Sequence, residues 1–277
     1  MKEPTVFKIT TSLILAIGIL LIFIPCYFVV ISAFKDNAQI VGNFFAPPKS
    51  FFIDNFIAIT GRQGFFRYFY NSIWITFMGL LGGFIILPMT SYPIARMMGK
   101  SRFYRYLYYF LLMGIFVPFQ VKMMPLIKLT SMLGMMNKLG LVIVYYAGSI
   151  CEGVFLYVGY ISSLSASIEE AAYIDGASPF QTYWRIVLPQ LAPMTATIMI
   201  SNGLWFWNDF TLPLLMLNTK AREWTLVLFQ YNFRSKYYID YSMVFASLFI
   251  SCIPIIIFYI FMQKHIISGL SGGAVKE

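Results

Sequence analysis

Four stretches of this chain carry no Asp, Glu, Lys or Arg at all: Ile9–Phe34 (26 residues), Tyr68–Ala95 (28), Ile186–Asn208 (23) and Tyr241–Gln263 (23). A helix rises about 1.5 Å per residue, so about 20 apolar residues cross the hydrocarbon core of a bilayer. Each run is long enough. In lipid every backbone N–H and C=O has to be paired within the chain, so a spanning run of this kind is a helix. Across the whole sequence 59% of residues are hydrophobic and 11% charged, against about 25% charged in soluble domains. These numbers exclude a water-soluble globule and specify an all-α integral membrane protein.

Taken in order, the sequence predicts six transmembrane helices, at about 9–34, 70–95, 106–127, 139–161, 190–215 and 241–263. The third is uncharged only to Val121 and contains Pro118 and Gln120; Lys122 and Lys128 then lie where long side chains can snorkel to headgroups. The fourth contains Glu152. Segments 35–67, with Pro47-Pro48, and 217–240 are too polar to span and read as external loops. The short loop with Arg96, Lys100, Arg102 and Arg105 reads as cytoplasmic. The total count of positives, nine inside and eleven outside, does not settle the orientation unaided; the short basic loop decides it together with the family resemblance described below. An even number of spans then places both termini, the 162–189 loop and a 264–277 tail in the cytoplasm. The first span is longer than a signal-peptide core and no small-x-small site follows it, so it is expected to be retained.

Little of the sequence suggests covalent chemistry. Cys26, Cys151 and Cys252 sit in apolar segments without CxxC or metal spacing, and His265 has no Cys, Asp or Glu near it in sequence. No metal is expected. Gly99-Lys100-Ser101 mimics the end of a phosphate-binding loop, but position 94 is Ile where the leading glycine belongs. Gly79 and Gly83 form a GxxxG pair that permits close helix contact.

The polar stretch between the fourth and fifth spans, EEAAYIDGASPFQTYWRIVLP, carries the most specific pattern. Residues 168–173 read as a short helix with Glu169 and Glu170 in its first turn, where carboxylates favour the positive helix end. Gly176 ends it, Pro179 opens a second short helix, and the two are expected to stand at about a right angle as a knob outside the membrane. Ala171 and Ala172 would let another surface come close to the backbone. Glu170-Ala171-Ala172, three residues, Gly176, nine residues, Ile186, one residue, Leu188-Pro189 resembles the EAA loop of binding-protein-dependent ABC importer permeases.

Most of the chain shares that resemblance and narrows it to carbohydrate permeases of the maltose-transporter type. The matching residues are Ser32, Phe34 and Lys35; Pro47-Pro48; Asn55-Phe56; Asn71-Ser72; Ala95-Arg96; Phe116 to Gln120 with Pro125; Trp207 to Phe210 with Pro213; and Gly269 to Lys276. The resemblance implies a type I ABC importer permease fold and a transport subunit that is no enzyme. It implies ATPase coupling through Glu169, Glu170, Ala171, Ala172, Asp175, Gly176, Ile186, Leu188 and Pro189. ATPase contacts are also expected for the tail at Gly269, Gly272, Gly273 and Lys276. Expected partners are a second homologous permease, two ATPase subunits that bind ATP and Mg, an extracytoplasmic sugar-binding protein, and the lipids of a prokaryotic plasma membrane. No cofactor on this chain and no nucleic acid are expected.

Intramembrane polar groups are either functional or glue between helices. Glu152 and Asn202 fall near mid-depth of their spans, and Asn202, Trp205 and Asp209 share a helical face at spacings of three and four. An amide, an indole and a carboxylate along one wall suit a sugar, so these four residues are candidates for the substrate pathway. Equally, Asn202 and Asp209 could bond to neighbouring helices and Trp205 could pack in the core. A secondary transporter would need inverted repeats and more intramembrane carboxylates, and a membrane enzyme a clustered acid, base or metal set. The competing reading is an ABC permease for another solute: glycerol phosphate, a polyamine or an amino acid.

Overall fold

A computed structural model describes residues 5–233 and 239–273 of the chain. The helices are α1 (Thr5–Ala33), α2 (Asn37–Gly42), α3 (Asp54–Thr60), α4 (Phe65–Met97), α5 (Arg102–Ile115), α6 (Phe119–Met132) and α7 (Lys138–Ser163). They continue as α8 (Ser167–Ile174), α9 (Pro179–Thr182), α10 (Leu188–Gln190), α11 (Ala192–Asn208), α12 (Thr211–Leu217), α13 (Leu226–Gln230) and α14 (Tyr241–Gly273). Four of them, α1, α4, α7 and α14, are individually long and apolar enough to cross a membrane.

The third and fifth predicted spans are not single helices. The chain bends by 103° between α5 and α6. Pro118 lacks an N–H and disfavours helical geometry at the residue before it, so the helix that starts at Arg102 stops at Ile115 and a new one begins after Pro118. The predicted fifth span falls on α11, which ends at Asn208, followed by α12. There the Asp209 side chain accepts the Thr211 N–H at 2.9 Å, offering the backbone an alternative to the helical ladder.

The chain forms two compact units. One comprises residues 1–66 and 229–254. Here Asp36 caps α2 by accepting the Gln39 N–H, and those bonds hold its carboxyl below the usual range. Asn55 Nδ2 donates to Ala33 O and Lys35 O, while Lys35 Nζ donates to Asn43 O and Phe44 O. The family-like Lys35 and Asn55 thus tie the loop back onto the end of α1. Phe34 packs against Phe51, Phe56 and Phe249.

The other unit, residues 67–228 and 255–277, contains the bundle around α4, α7 and α11. Asn71 Nδ2 donates to Arg222 O and Trp224 O, and Ser72 Oγ accepts the Leu226 N–H, so this second family-like pair anchors the segment before α13. The GxxxG expectation is met at one glycine and moved at the other. A Cβ at Gly79 would lie 2.8 Å from the Phe206 ring, and one at Gly82 would overlap Tyr146, whereas Gly83 faces only Leu87 of its own helix. Close approach of α7 and α11 to α4 therefore uses Gly79 and Gly82. Deeper in the same unit Leu87, Tyr157, Ile161, Val187, Leu191 and Ile198 form a buried cluster, and Tyr157 donates across it to Thr195 Oγ1 at 2.9 Å.

α14 runs on without a break through the backbone of Gly269, Gly272 and Gly273. Lys276 lies outside the described residues.

Candidate functional site

The loop between α7 and α11 folds as its residues require. α8 carries Glu169 and Glu170 in its first turn and closes at Gly176, whose φ of +84° suits a residue without Cβ. Ser178 and Gln181 form a reciprocal capping box, with Pro179 opening α9. One π-helical turn, Tyr183–Val187, follows, because the Leu188 N–H reaches back five residues to Tyr183 O before Pro189 removes the next donor. Tyr183 and Val187 are buried, fixing the base of the loop to the bundle. Burial pushes the Tyr183 hydroxyl up to about 12, so it is neutral.

The expected coupling residues divide into two faces. Glu169 and Ala172, three apart on α8, point inward and are 7% exposed. Glu170, Ala171, Asp175, Gly176 and Pro189 are exposed, and Ile186 and Leu188 are half-buried. Beside the exposed set stand Ile174, at 87% exposure, and Phe180, at 67%. Glu169 therefore does not face outward with the rest. Its Oε1 accepts from Arg96 Nη2 at 2.6 Å and from Arg96 Nε at 3.0 Å, and its Oε2 accepts from the Tyr92 hydroxyl at 2.8 Å. Arg96 Nη2 also donates to Leu164 O at 3.3 Å. These contacts bring the basic end of α4 and the loop to one end of the unit. Arg96 was visible in the sequence as part of a basic loop and of the Ala95-Arg96 match, but nothing local linked it to Glu169.

A cavity of about 470 Å³ opens elsewhere in the same unit. Its lining includes Trp205 and Asp209, together with Phe119, Lys122, Gly148 and Thr211. The Trp205 indole lies edge-on to Tyr145 and close over Gly148, where a Cβ would come within 2.7 Å. Asp209 Oδ2 accepts from the Tyr145 hydroxyl at 3.0 Å. Two of the four pathway candidates thus meet in one cavity, and both also make the packing or bonding contacts of the alternative reading. Asn202 is half-buried and Glu152 exposed, and neither is among the lining residues. Asp209 is the C-cap of α11, directly after its last residue Asn208. Lys122 and Thr211, which also line the cavity, stand just after the breaks at Pro118 and Asp209.

Residues 91–271 match the family described as binding-protein-dependent transport system inner membrane component. The chain belongs to that family. This family member is a multi-pass membrane subunit of a transport system and not an enzyme. It is similar to the multiple sugar-binding transport system permease protein MsmG of Streptococcus mutans, with 45% identity over 99% of each chain. It is also similar to the probable starch degradation products transport system permease protein AmyC of Thermoanaerobacterium thermosulfurigenes, with 34% identity over 91% of each. Among solved structures, a bacterial ABC transporter involved in the import of the acidic polysaccharide alginate matches with a TM-score of 0.80 at 23% identity, covering 95% of this chain and 98% of that one. The family member therefore has the type I ABC importer permease fold.

Proposed function

We propose that this permease forms half of the translocation pathway of an ATP-driven, binding-protein-dependent sugar importer and couples to ATPase subunits through the α8 to α10 loop. The sugar assignment is supported by full-length relatives named for sugar transport at 45% and 34% identity, and by an indole beside a carboxylate in the cavity. The observation that carries the coupling role is the exposure of the loop: Glu170, Ala171, Ile174, Gly176 and Phe180 are all exposed, two large apolar side chains among them. An exposed patch of that kind marks a protein contact. Its base is packed into the bundle through Tyr183 and Val187, so a push on the patch is transmitted rather than absorbed.

In this reading ATP and Mg bind to two separate ATPase subunits, a second permease completes the route, and an extracytoplasmic protein delivers the sugar. Both termini and the loop face the cytoplasm, a placement supported by the positive loop Arg96 to Arg105 beside it. The test is reconstitution in proteoliposomes with the neighbouring permease, ATPase and binding protein. Uptake of the binding protein's sugar that requires ATP and all partners is expected. Uptake by this chain alone, or no sugar among the transported solutes, overturns the proposal.

A further inference from the structure

Sequence continuity joins the coupling loop to α7 on one side and α11 on the other. The Arg96–Glu169 pair joins it to α4 as well, and it is the ion pair found among the described residues. Arg96 uses two N–H groups on one carboxylate oxygen and a further contact on the Leu164 carbonyl, so a single guanidinium clasps the end of α7 and the start of α8 to the last turn of α4. The Tyr92 hydroxyl, one turn earlier on α4, holds the other carboxylate oxygen. Charge-assisted bonds of this length are strong and directional. Both partners are largely removed from solvent, with side-chain exposures of 20% for Arg96 and 9% for Glu169, so screening by salt is reduced.

We propose that Arg96 and Glu169 form a latch that makes α4 travel with the coupling loop, so that a displacement of the loop reaches the second span as well as α7 and α11. The inference rests on the coupling role proposed above. Arg96 and Glu169 are positioning residues; their side chains are committed to each other. The acidic doublet is thereby divided, with Glu169 serving the chain's own helix and Glu170 facing outward. A loop held only by its own covalent connections would leave α4 free to lag.

The test uses the reconstituted complex and measures ATP hydrolysis and solute uptake together in Glu169→Gln, Arg96→Glu and the exchange Arg96→Glu/Glu169→Arg. Each single variant is expected to hydrolyse ATP while uptake per ATP falls about fivefold or more, a typical coupling magnitude; the exchange is expected to regain most of the lost ratio. A purely stabilising pair would lower complex yield and both activities together, leaving uptake per ATP at the wild-type value, and that result overturns the latch. A second measurement does not depend on the variants assembling. Spin labels at Met97→Cys and Ser165→Cys, in a chain with Cys26, Cys151 and Cys252 replaced by Ser, should keep one separation through the ATP cycle. A separation that changes between nucleotide-free and ATP-bound states overturns the proposal. Absence of ATP-dependent uptake in the wild-type complex would instead refute the coupling role itself.

Discussion

Tyr145 donates its hydroxyl to Asp209 Oδ2 at 3.0 Å, so a fully buried residue of α7 holds the carboxylate at the break between α11 and α12. The other oxygen, Oδ1, accepts the Thr211 N–H. Both oxygens are engaged, yet the residue still lines the cavity. The arrangement fixes where the carboxylate stands before any solute arrives.

Removing the donor leaves a mostly buried acceptor short of a partner. A bond to a charged group contributes about 1.5–3 kcal/mol, so Tyr145→Phe should lower the Tm of the purified protein by several degrees. Asp209→Asn keeps an oxygen for Thr211 and should cost less. Thermal unfolding in detergent reads both, and an unchanged Tm in Tyr145→Phe would show the bond to be dispensable.

Trp205 lines the cavity and Glu152 does not. Trp205 presents its ring to the cavity, so Trp205→Ala should lose stacking of about 1 kcal/mol and slow sugar uptake several-fold while the binding protein's own affinity is unchanged. Glu152 is exposed and lies outside the cavity lining, so Glu152→Gln should transport a neutral sugar at close to the wild-type rate. Loss of uptake in Glu152→Gln, with a cation as the transported solute, would move the cargo assignment to a polyamine.

The long helices were legible because uncharged runs and helix length are local properties of the sequence. α1, α4 and α7 begin and end within about five residues of the predicted spans, and α14 begins at the predicted Tyr241. The short loop helices were equally readable, since Gly176 and Pro179 are local signals. What sequence could not supply were the contacts made at long range. The Arg96–Glu169 pair spans 73 positions and Tyr145–Asp209 spans 64, so no window on the chain contains both partners. That Glu169 packs inward while Glu170 is exposed was not legible, because the loop motif places residues in order along the chain without saying which side of α8 packs inward. The end of α11 was hidden for a different reason: Asp209 captures a backbone donor inside an otherwise apolar run.

Two tyrosines near the latch should respond oppositely to loss of the hydroxyl. The Tyr183 hydroxyl is buried and has no hydrogen-bond partner among the described residues, whereas Tyr92 donates to Glu169. An unsatisfied buried hydroxyl carries a desolvation cost that its removal relieves. Tyr183→Phe should leave the Tm unchanged or raise it, and Tyr92→Phe should lower it. A fall in both would mean that Tyr183 acquires a partner.

Gly176 gives the sharpest separation of folding from coupling. Its φ of +84° is a conformation that L side chains rarely adopt, but a Cβ there would meet nothing within 4 Å. Gly176→Ala therefore introduces strain of about 1–2 kcal/mol and no clash within this chain, so it should insert and retain much of its coupling. Gly176→Trp adds the same strain and also projects a large ring from the exposed patch that the ATPase is proposed to cover. It should insert and fold, yet fail to co-purify with the ATPase and show almost no ATP-dependent uptake. Measuring membrane yield, ATPase co-purification and uptake for both variants distinguishes the two effects. Equal loss in Ala and Trp would assign the defect to backbone strain, whereas wild-type uptake in Gly176→Trp would remove this face from the contact.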